Sequence, residues 1–471
     1  MTRTASLDRW QSFGVPAPGT IRNRMSCNLD DSTIALVGGF DMTTGSLTTA
    51  CHLFNGIEFI EIASLNYPRG NIGNAQPNNN LVRLSDGRLW VQGSNNYDTT
   101  GLPANTAEIY DPVADTWTVD IAWRVFMCWS APEFVEIAYP QRSGSGMTLA
   151  LEDGSVLMGG GWLNPPWTWQ PSTVYKYKPG VGLTAWTMLG FEWWSQAYLS
   201  LNNGLGDGVY HYSGRLIAGT VPLRDGRVFV AYSAGYTAIY APHNMVMLDL
   251  TGATETTETP FQEISPGYLS WAYSLNPTGA RYIRATDMGQ LPTDIHVGGW
   301  SQEGIAGIQG QDGDMYLFAF DTYHEKSVVY RLATQTWEMV PAPPDSIRPG
   351  YSPVLLGDRH IFFYSMTTPS GDGVYHPRSG SWLYDIVAKA WVKEAYYDVV
   401  TYPTQAGNWN EIATGLIDGI PVTLANQGST SHSSPEGFYW ARNGQIWPRS
   451  RIDLFSSRKH TRKGQLWPRT R

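Results

Sequence analysis

Cysteine is scarce in this chain of 471 residues: Cys27, Cys51 and Cys128 are the whole complement. Three leaves one unpaired, and their spacing matches no metal knuckle, so they read as free thiols of a protein made in a reducing cytoplasm. No window holds 18 consecutive apolar residues, which excludes a membrane-spanning helix. The opening "MTRTASLDRWQSF" lacks the apolar core of a secretory signal, so synthesis in the cytoplasm without a signal peptide is expected. Charge is also thin, at 15% of residues. The nine histidines (52, 211, 243, 296, 324, 360, 376, 432 and 460) stand singly.

What is plentiful points to β structure. There are 20 Trp, 26 Tyr and 15 Phe, beside 49 Gly and 30 Pro. Aromatics interleaved with turn-formers favour an all-β protein. Charge is unevenly spread. Residues 441–471 carry nine Lys/Arg against one acid, Asp453, a balance of +8. The body keeps 23 basic and 40 acidic residues, or −17. An acidic body argues against nucleic-acid binding by that body, and a basic tail reads as an interaction appendage.

Internal repeats organise the body. A turn followed by an apolar run recurs as "DDSTIALVGGF" (30–40), "SDGRLWVQGS" (85–94), "EDGSVLMGGG" (152–161), "RDGRVFVAYS" (224–233), "QDGDMYLFAF" (311–320), "GDRHIFFYS" (357–365) and "IDGIPVTLANQG" (417–428). These predict seven hairpins, the Asp-Gly pairs suiting two-residue type I′ turns. A second motif places Tyr seven residues before Trp, in Tyr110/Trp117, Tyr330/Trp337 and Tyr384/Trp391. Looser versions are "VYKYKPGVGLTAW" (174–186) and "HLFNGIEF" (52–59). Two hairpins per repeat give four strands, the content of one propeller blade. Spacing between first hairpins runs from about 45 to 90 residues, the excess being placed in loops such as 266–306. The seventh repeat lacks its Tyr/Trp partner, while "RWQSFGVPAPGTIRN" (9–23) parallels "TWEMVPAPPDSIRPG" (336–350). Trp10 then matches Trp337, and an N-terminal outer strand would complete the last blade and close the ring.

These repeats resemble kelch repeats across residues 6–440. The likeness lies in the Pro-Arg lead-in ("YPRGNIGNAQ" at 67–76), the Asp-Gly turn, Gly38-Gly39 and Gly159-Gly160 after the inner strand, and the Tyr-to-Trp spacing. The resemblance implies a seven-bladed propeller over 1–440, followed by an extended tail over 441–471. A fold of this kind does not fix function.

Catalytic signatures are absent from the sequence. A copper-radical site like that of galactose oxidase would need a Tyr-His pair in the lead-ins, which read "RPGYSPVLL" (348–356) and "SGSGMTLAL" (143–151). Cys51-His52 reads as core packing. No Ser-x-Asp-x-Gly-x-x-Trp box marks a sialidase, and "SGSGM" (143–147) is a turn rather than a nucleophile elbow. Phosphate-loop and dinucleotide fingerprints are missing too. The expectation is a protein that is not an enzyme, with no catalytic residues, no metal and no cofactor.

Two features remain for partners. Eight of the 20 Trp fall within residues 123–194. Of these, Trp162, Trp167 and Trp169 in a Pro-rich stretch and Trp193 and Trp194 are candidate aromatics for a glycan or protein, set against a reading as packing residues. The second is a duplication, "NGQIWPRSR" at 443–451 and "KGQLWPRTR" at 463–471. Each copy offers an apolar pair, a proline that blocks ladder pairing and a bidentate arginine. Ile446, Trp447 and Arg449, with Leu466, Trp467 and Arg469, are the candidate partner-binding residues, suited to docking as a linear peptide. The copies lie 20 residues apart, at most about 66–72 Å when extended. That span allows two equivalent sites on a symmetric partner to be held at once. A solubilising tail and a nucleic-acid-binding tail are the alternatives.

In organisation the chain is similar to tail components of tailed bacteriophages, such as nozzles of short-tailed phages or fibre-attached proteins. That resemblance implies a virion-associated structural or host-recognition protein. The alternatives are a carbohydrate-binding or carbohydrate-acting propeller using the Trp-rich region, and a cytoplasmic kelch adaptor.

Overall fold

A computed structural model of the chain describes residues 9–16, 21–22, 24–41, 43–70, 81–92, 106–122, 124–130, 133–138, 143–162, 174–180, 186–191, 216–233, 244–249, 261–265, 268–271, 282–290, 305–321, 326–341, 353–363, 368–369, 375–376, 380–396, 410–426 and 436–441. These residues contain strands and turns and no helix, and so none long and apolar enough to cross a membrane.

In chain order, β1 (Arg9–Pro16) and β2 (Ile21–Arg22) come first. Repeat one holds β3 (Met25–Asp30) and β4 (Thr33–Val37), then β5 (Phe40–Asp41) and β6 (Ser46–Leu47) in a connection, then β7 (Cys51–Phe54) and β8 (Phe59–Ile62). Repeat two is β9 (Leu81–Arg83), β10 (Leu89–Gln92), β11 (Thr106–Asp111) and β12 (Thr116–Ala122). An inserted hairpin follows, β13 (Arg124–Ser130) and β14 (Glu133–Ala138). Repeat three is β15 (Ser143–Ala150), β16 (Val156–Trp162), β17 (Val174–Tyr177) and β18 (Trp186–Phe191). Repeat four is β19 (Leu216–Pro222), β20 (Arg227–Ser233) and β21 (Asn244–Asp249), then an inserted pair, β22 (Phe261–Ser265) and β23 (Tyr268–Trp271), and finally β24 (Tyr282–Gln290). Repeat five is β25 (Ile305–Gln309), β26 (Met315–Asp321), β27 (Lys326–Arg331) and β28 (Thr336–Pro341). Repeat six is β29 (Val354–Leu356) and β30 (His360–Phe363), a small ribbon β31 (Thr368–Pro369) and β32 (Tyr375–His376), then β33 (Gly380–Asp385) and β34 (Ala390–Tyr396). Repeat seven is β35 (Asn410–Ile417), β36 (Ile420–Asn426) and β37 (Glu436–Ala441).

The fold is an all-β propeller. Five blades stand as separate four-stranded sheets: β3-β4-β7-β8, β9 to β12, β25 to β28, β29-β30-β33-β34, and β35-β36-β37-β1. This corrects the expectation of seven separate blades. Repeats three and four are hydrogen-bonded into one eight-stranded sheet, because β18 pairs in parallel with β24 through Gly190 opposite Tyr282 and Phe191 opposite Ile283. The stretch 266–306, expected as loop, contributes β23 and the outer strand β24. In the last blade β1 lies antiparallel to β37, with Arg9 opposite Ala441 and Trp10 opposite Trp440.

Apolar side chains of adjacent sheets meet between them. Ile34, Leu36 and Phe54 of repeat one pack against Ile417 and Val422 of repeat seven. Val221, Phe229 and Met247 pack against Met315, Leu317 and Val328, and Phe318 of repeat five meets Phe363 of repeat six edge to face at 5.0 Å. Each wholly buried side chain of this size contributes roughly 1.5–3 kcal/mol. Inner strands touch in series, β3 on β9, β9 on β15, β15 on β19 and β19 on β25, while β35 packs on β3 and β4.

The Tyr-to-Trp spacing forms an outer hairpin. Tyr110 faces Trp117, Tyr330 faces Trp337 and Tyr384 faces Trp391 across the ladder, with ring centroids 5.1, 5.0 and 5.3 Å apart. Inner turns differ from expectation. In the turns at Gly87, Gly154, Gly226 and Gly313 only the glycine has positive φ, at 82–89°. Leu84 N–H reaches Arg88 O (2.8 Å) and Gly87 N–H reaches Leu84 O (3.0 Å), giving a three-residue loop with a glycine bulge. The preceding aspartate keeps negative φ and accepts the amide two residues on, as Asp86 does from Arg88 at 3.1 Å. Both central residues have positive φ at Asp418 and Gly419, 51° and 76°.

Candidate functional site

An up-and-down sheet separates its connections by length. Links between its first and second strands, and between its third and fourth, share one end. All other links leave from the opposite end. Here the first end carries short turns, at 31–32, 84–88, 151–155, 223–226, 310–314, 357–359 and 418–419. The exception is repeat four, whose third-to-fourth link holds β22 and β23. Connections at the other end are longer, including 63–80, 93–105, 163–173, 192–215 and 397–409. Long loops on a rigid sheet frame are where binding residues concentrate, so the long-loop end is the candidate site on the body.

Trp162 closes β16 at that end, its backbone opposite Ser143. Trp167 and Trp169 follow it, and Trp193 and Trp194 follow β18; all four lie outside the described residues. The tail residues Ile446, Trp447, Arg449, Leu466, Trp467 and Arg469 also lie outside them.

At the long-loop end of repeats one and two sits a set of buried charges. Arg69 and Glu108 are both fully buried, with Arg69 Nη2 2.9 Å from Glu108 Oε1. The carboxylate accepts four further hydrogen bonds, from Arg69 Nε (3.0 Å), Tyr67 N (3.2 Å), Asn66 N (2.7 Å) and Asn66 Nδ2 (2.9 Å). Five donors hold the carboxylate in one position. It clamps the connector 63–70 to β11. That connector passes so close to repeat one that Gly39 N–H donates to Arg69 O at 2.7 Å, and a Cβ on Gly38, which has φ +60°, would collide with the same carbonyl. Gly38-Gly39, legible as a repeat feature, therefore has a steric cause.

Repeat one places His52 where repeat two has Glu108, two residues before Phe54 and Tyr110 respectively. Arg24 Nη1 donates to His52 Nδ1 at 3.0 Å. Burial, reinforced by the Arg24 charge, pulls His52 down to about 4, so it is neutral near pH 7. Between repeats two and three, Gln92 Nε2 donates to Thr148 Oγ1 at 3.1 Å. Cys27 and Cys51 are free thiols pushed up to about 12 by burial, and so are poor nucleophiles. Among the described residues no group of three or more His, Cys, Asp or Glu is placed to hold a metal. The sequence reading missed these pairs. "PRG" at 68–70 and "EIYDP" at 108–112 were visible as motif pieces, but their contact depends on the connector's path.

No protein-family model matches the chain, and no curated protein matches it. Among solved structures it is similar to that of YjhT, with 11% identity and a TM-score of 0.43 over 80% of this chain and 98% of that one.

Proposed function

We propose that this chain is a non-enzymatic structural or host-recognition part of a larger symmetric assembly, a virion tail component of nozzle or fibre-associated type. Its anchor is the duplicated peptide, Ile446, Trp447 and Arg449 with Leu466, Trp467 and Arg469. The observation that carries this reading is that the last sheet is complete at Ala441, with β1 already paired to β37. Both Trp-Pro-Arg copies thus follow the closing strand in the sequence. The body that they tether is a kelch-like ring of seven units, the eight-stranded sheet counting as two. The serial packing of inner strands and the return of β35 onto β3 and β4 support that number.

The test is truncation after Ala441. Full-length chain is expected in purified virions by mass spectrometry, and the truncated chain is expected to fold but be lost from them. Equal incorporation of the two would sink the anchoring role.

A second reading is supported by the placement of Trp162 and the flanking loops at the long-loop end: a surface that binds or acts on carbohydrate. It predicts glycan binding that Trp167→Ala or Trp193→Ala abolishes, and a glycan screen without a hit would count against it. A cytoplasmic kelch adaptor is distinguished from both by gene neighbourhood, which for a virion part should include a portal or fibre gene.

A further inference from the structure

We infer, independently of the tail's role, that the junction of repeats one and seven binds a small monovalent anion on the guanidinium of Arg24. Arg24 stands just before β3, on the chain that leads into repeat one, and is only 2% exposed. Its Nη1 donates to His52 Nδ1 at 3.0 Å, while Nη2 has no hydrogen-bond partner among the described residues. His52 lies opposite Leu36 across the ladder. Leu36 and Phe54, which share that face of the sheet, pack on Ile417 and Val422, so the Arg24–His52 pair is on the side of repeat seven.

Repeat two shows how the chain balances charge at such a place. Glu108 lies opposite Val91 as His52 lies opposite Leu36. Arg69 likewise arrives on the chain that leads into its own repeat, and it pairs with Glu108 at 2.9 Å. Repeat one keeps the arginine and puts an imidazole where the carboxylate stands. That imidazole is neutral near pH 7. Burial lowers Arg24 only to about 10, so the guanidinium keeps its charge there. Cys51, whose charge would also act on Arg24, is pushed up to about 12 by burial and stays a neutral thiol.

The excess is therefore one positive charge. A buried cation without a counter-charge is costly, and an unpaired N–H donor adds to that cost. One bound anion supplies both the charge and the acceptor that Glu108 supplies in repeat two. Because Arg24 and His52 are both buried, the occupant is small: a halide such as chloride, or a carboxylate the size of formate.

The test follows the thermal midpoint of the full-length chain as sodium gluconate is replaced by sodium chloride or sodium formate. Ionic strength is held constant so that screening does not change, and gluconate serves as the bulky reference. An anion that binds the folded chain is expected to raise the midpoint by about 2 °C or more. A rise with chloride alone assigns the site to halides, and a rise with formate shows that it takes carboxylates. His52→Glu rebuilds the arrangement of repeat two, and Arg24→Met removes the cation. Both variants are expected to lose the anion-dependent rise. If Arg24→Met does not fold, His52→Glu decides alone. Equal midpoints of the unsubstituted chain in all three salts, or a rise that His52→Glu keeps in full, overturns the site.

Discussion

Glu108 shows how much one side chain can organise. Glu108→Gln removes the charge that compensates buried Arg69 and one of its acceptor positions. Breaking a buried ion pair from one side costs about 3–5 kcal/mol, so the midpoint of urea unfolding should fall sharply. Arg69→Met combined with Glu108→Gln should recover part of that loss, because no uncompensated charge remains and the amide oxygen still accepts from the connector. A double variant as weak as the single one would contradict the clamp. His52 gives a pH dependence. Its folded value, about 4, lies below the ordinary value of 6.5, so the unfolded chain binds the extra proton between those limits. Stability should be full above about pH 6.5 and decline toward pH 4, with His52→Gln flattening that slope in thermal melts. Asp385 acts lower, since its hydrogen bond from Arg359 holds it at about 2. Its contribution is present above about pH 4 and is lost as pH falls toward 2. Such residues were hard to read in advance. Cys51 and His52 are buried, as their reading as core packing expects, but the Arg24 contact lies 28 residues away in sequence and had no local signal.

At the level of elements, hairpins were legible because their signals are local. Tyr and Trp seven apart and an Asp-Gly turn each fit within a dozen residues. The turn type was misread because "SDGR", "EDGS", "RDGR" and "QDGD" each put a further polar residue in the loop, which moves the positive φ to glycine alone. The outer turns end on non-glycine residues with positive φ, Asp115, Gln335 and Lys389 at 50–53°. Left-handed backbone costs an L residue about 1–2 kcal/mol. Gln335→Gly, at an exposed turn position, should therefore raise the thermal midpoint modestly; a lower midpoint would contradict this backbone. Parallel pairing of β18 with β24, and of β13 with β23, was not legible. Parallel strands are joined by long crossovers, and nothing local marks the partner.

The whole molecule depends on its ends. The likeness of 9–23 to 336–350 put an outer strand at the N-terminal side, and β1 lies there on β37. Deleting residues 1–16 would leave β37 as a bare edge, so aggregation and a lower thermal midpoint are expected. The count of separate blades was not legible, since two repeats share a sheet. The tail's role was legible only as a duplication, and it is there that the functional reading is most exposed. Incorporation into purified virions should be measured for Trp447→Ala, Trp467→Ala and the double substitution. Two copies acting together on a symmetric partner predict partial loss for each single change and near-complete loss for the double. Normal incorporation of the double variant would show that these peptides do not hold the chain in place.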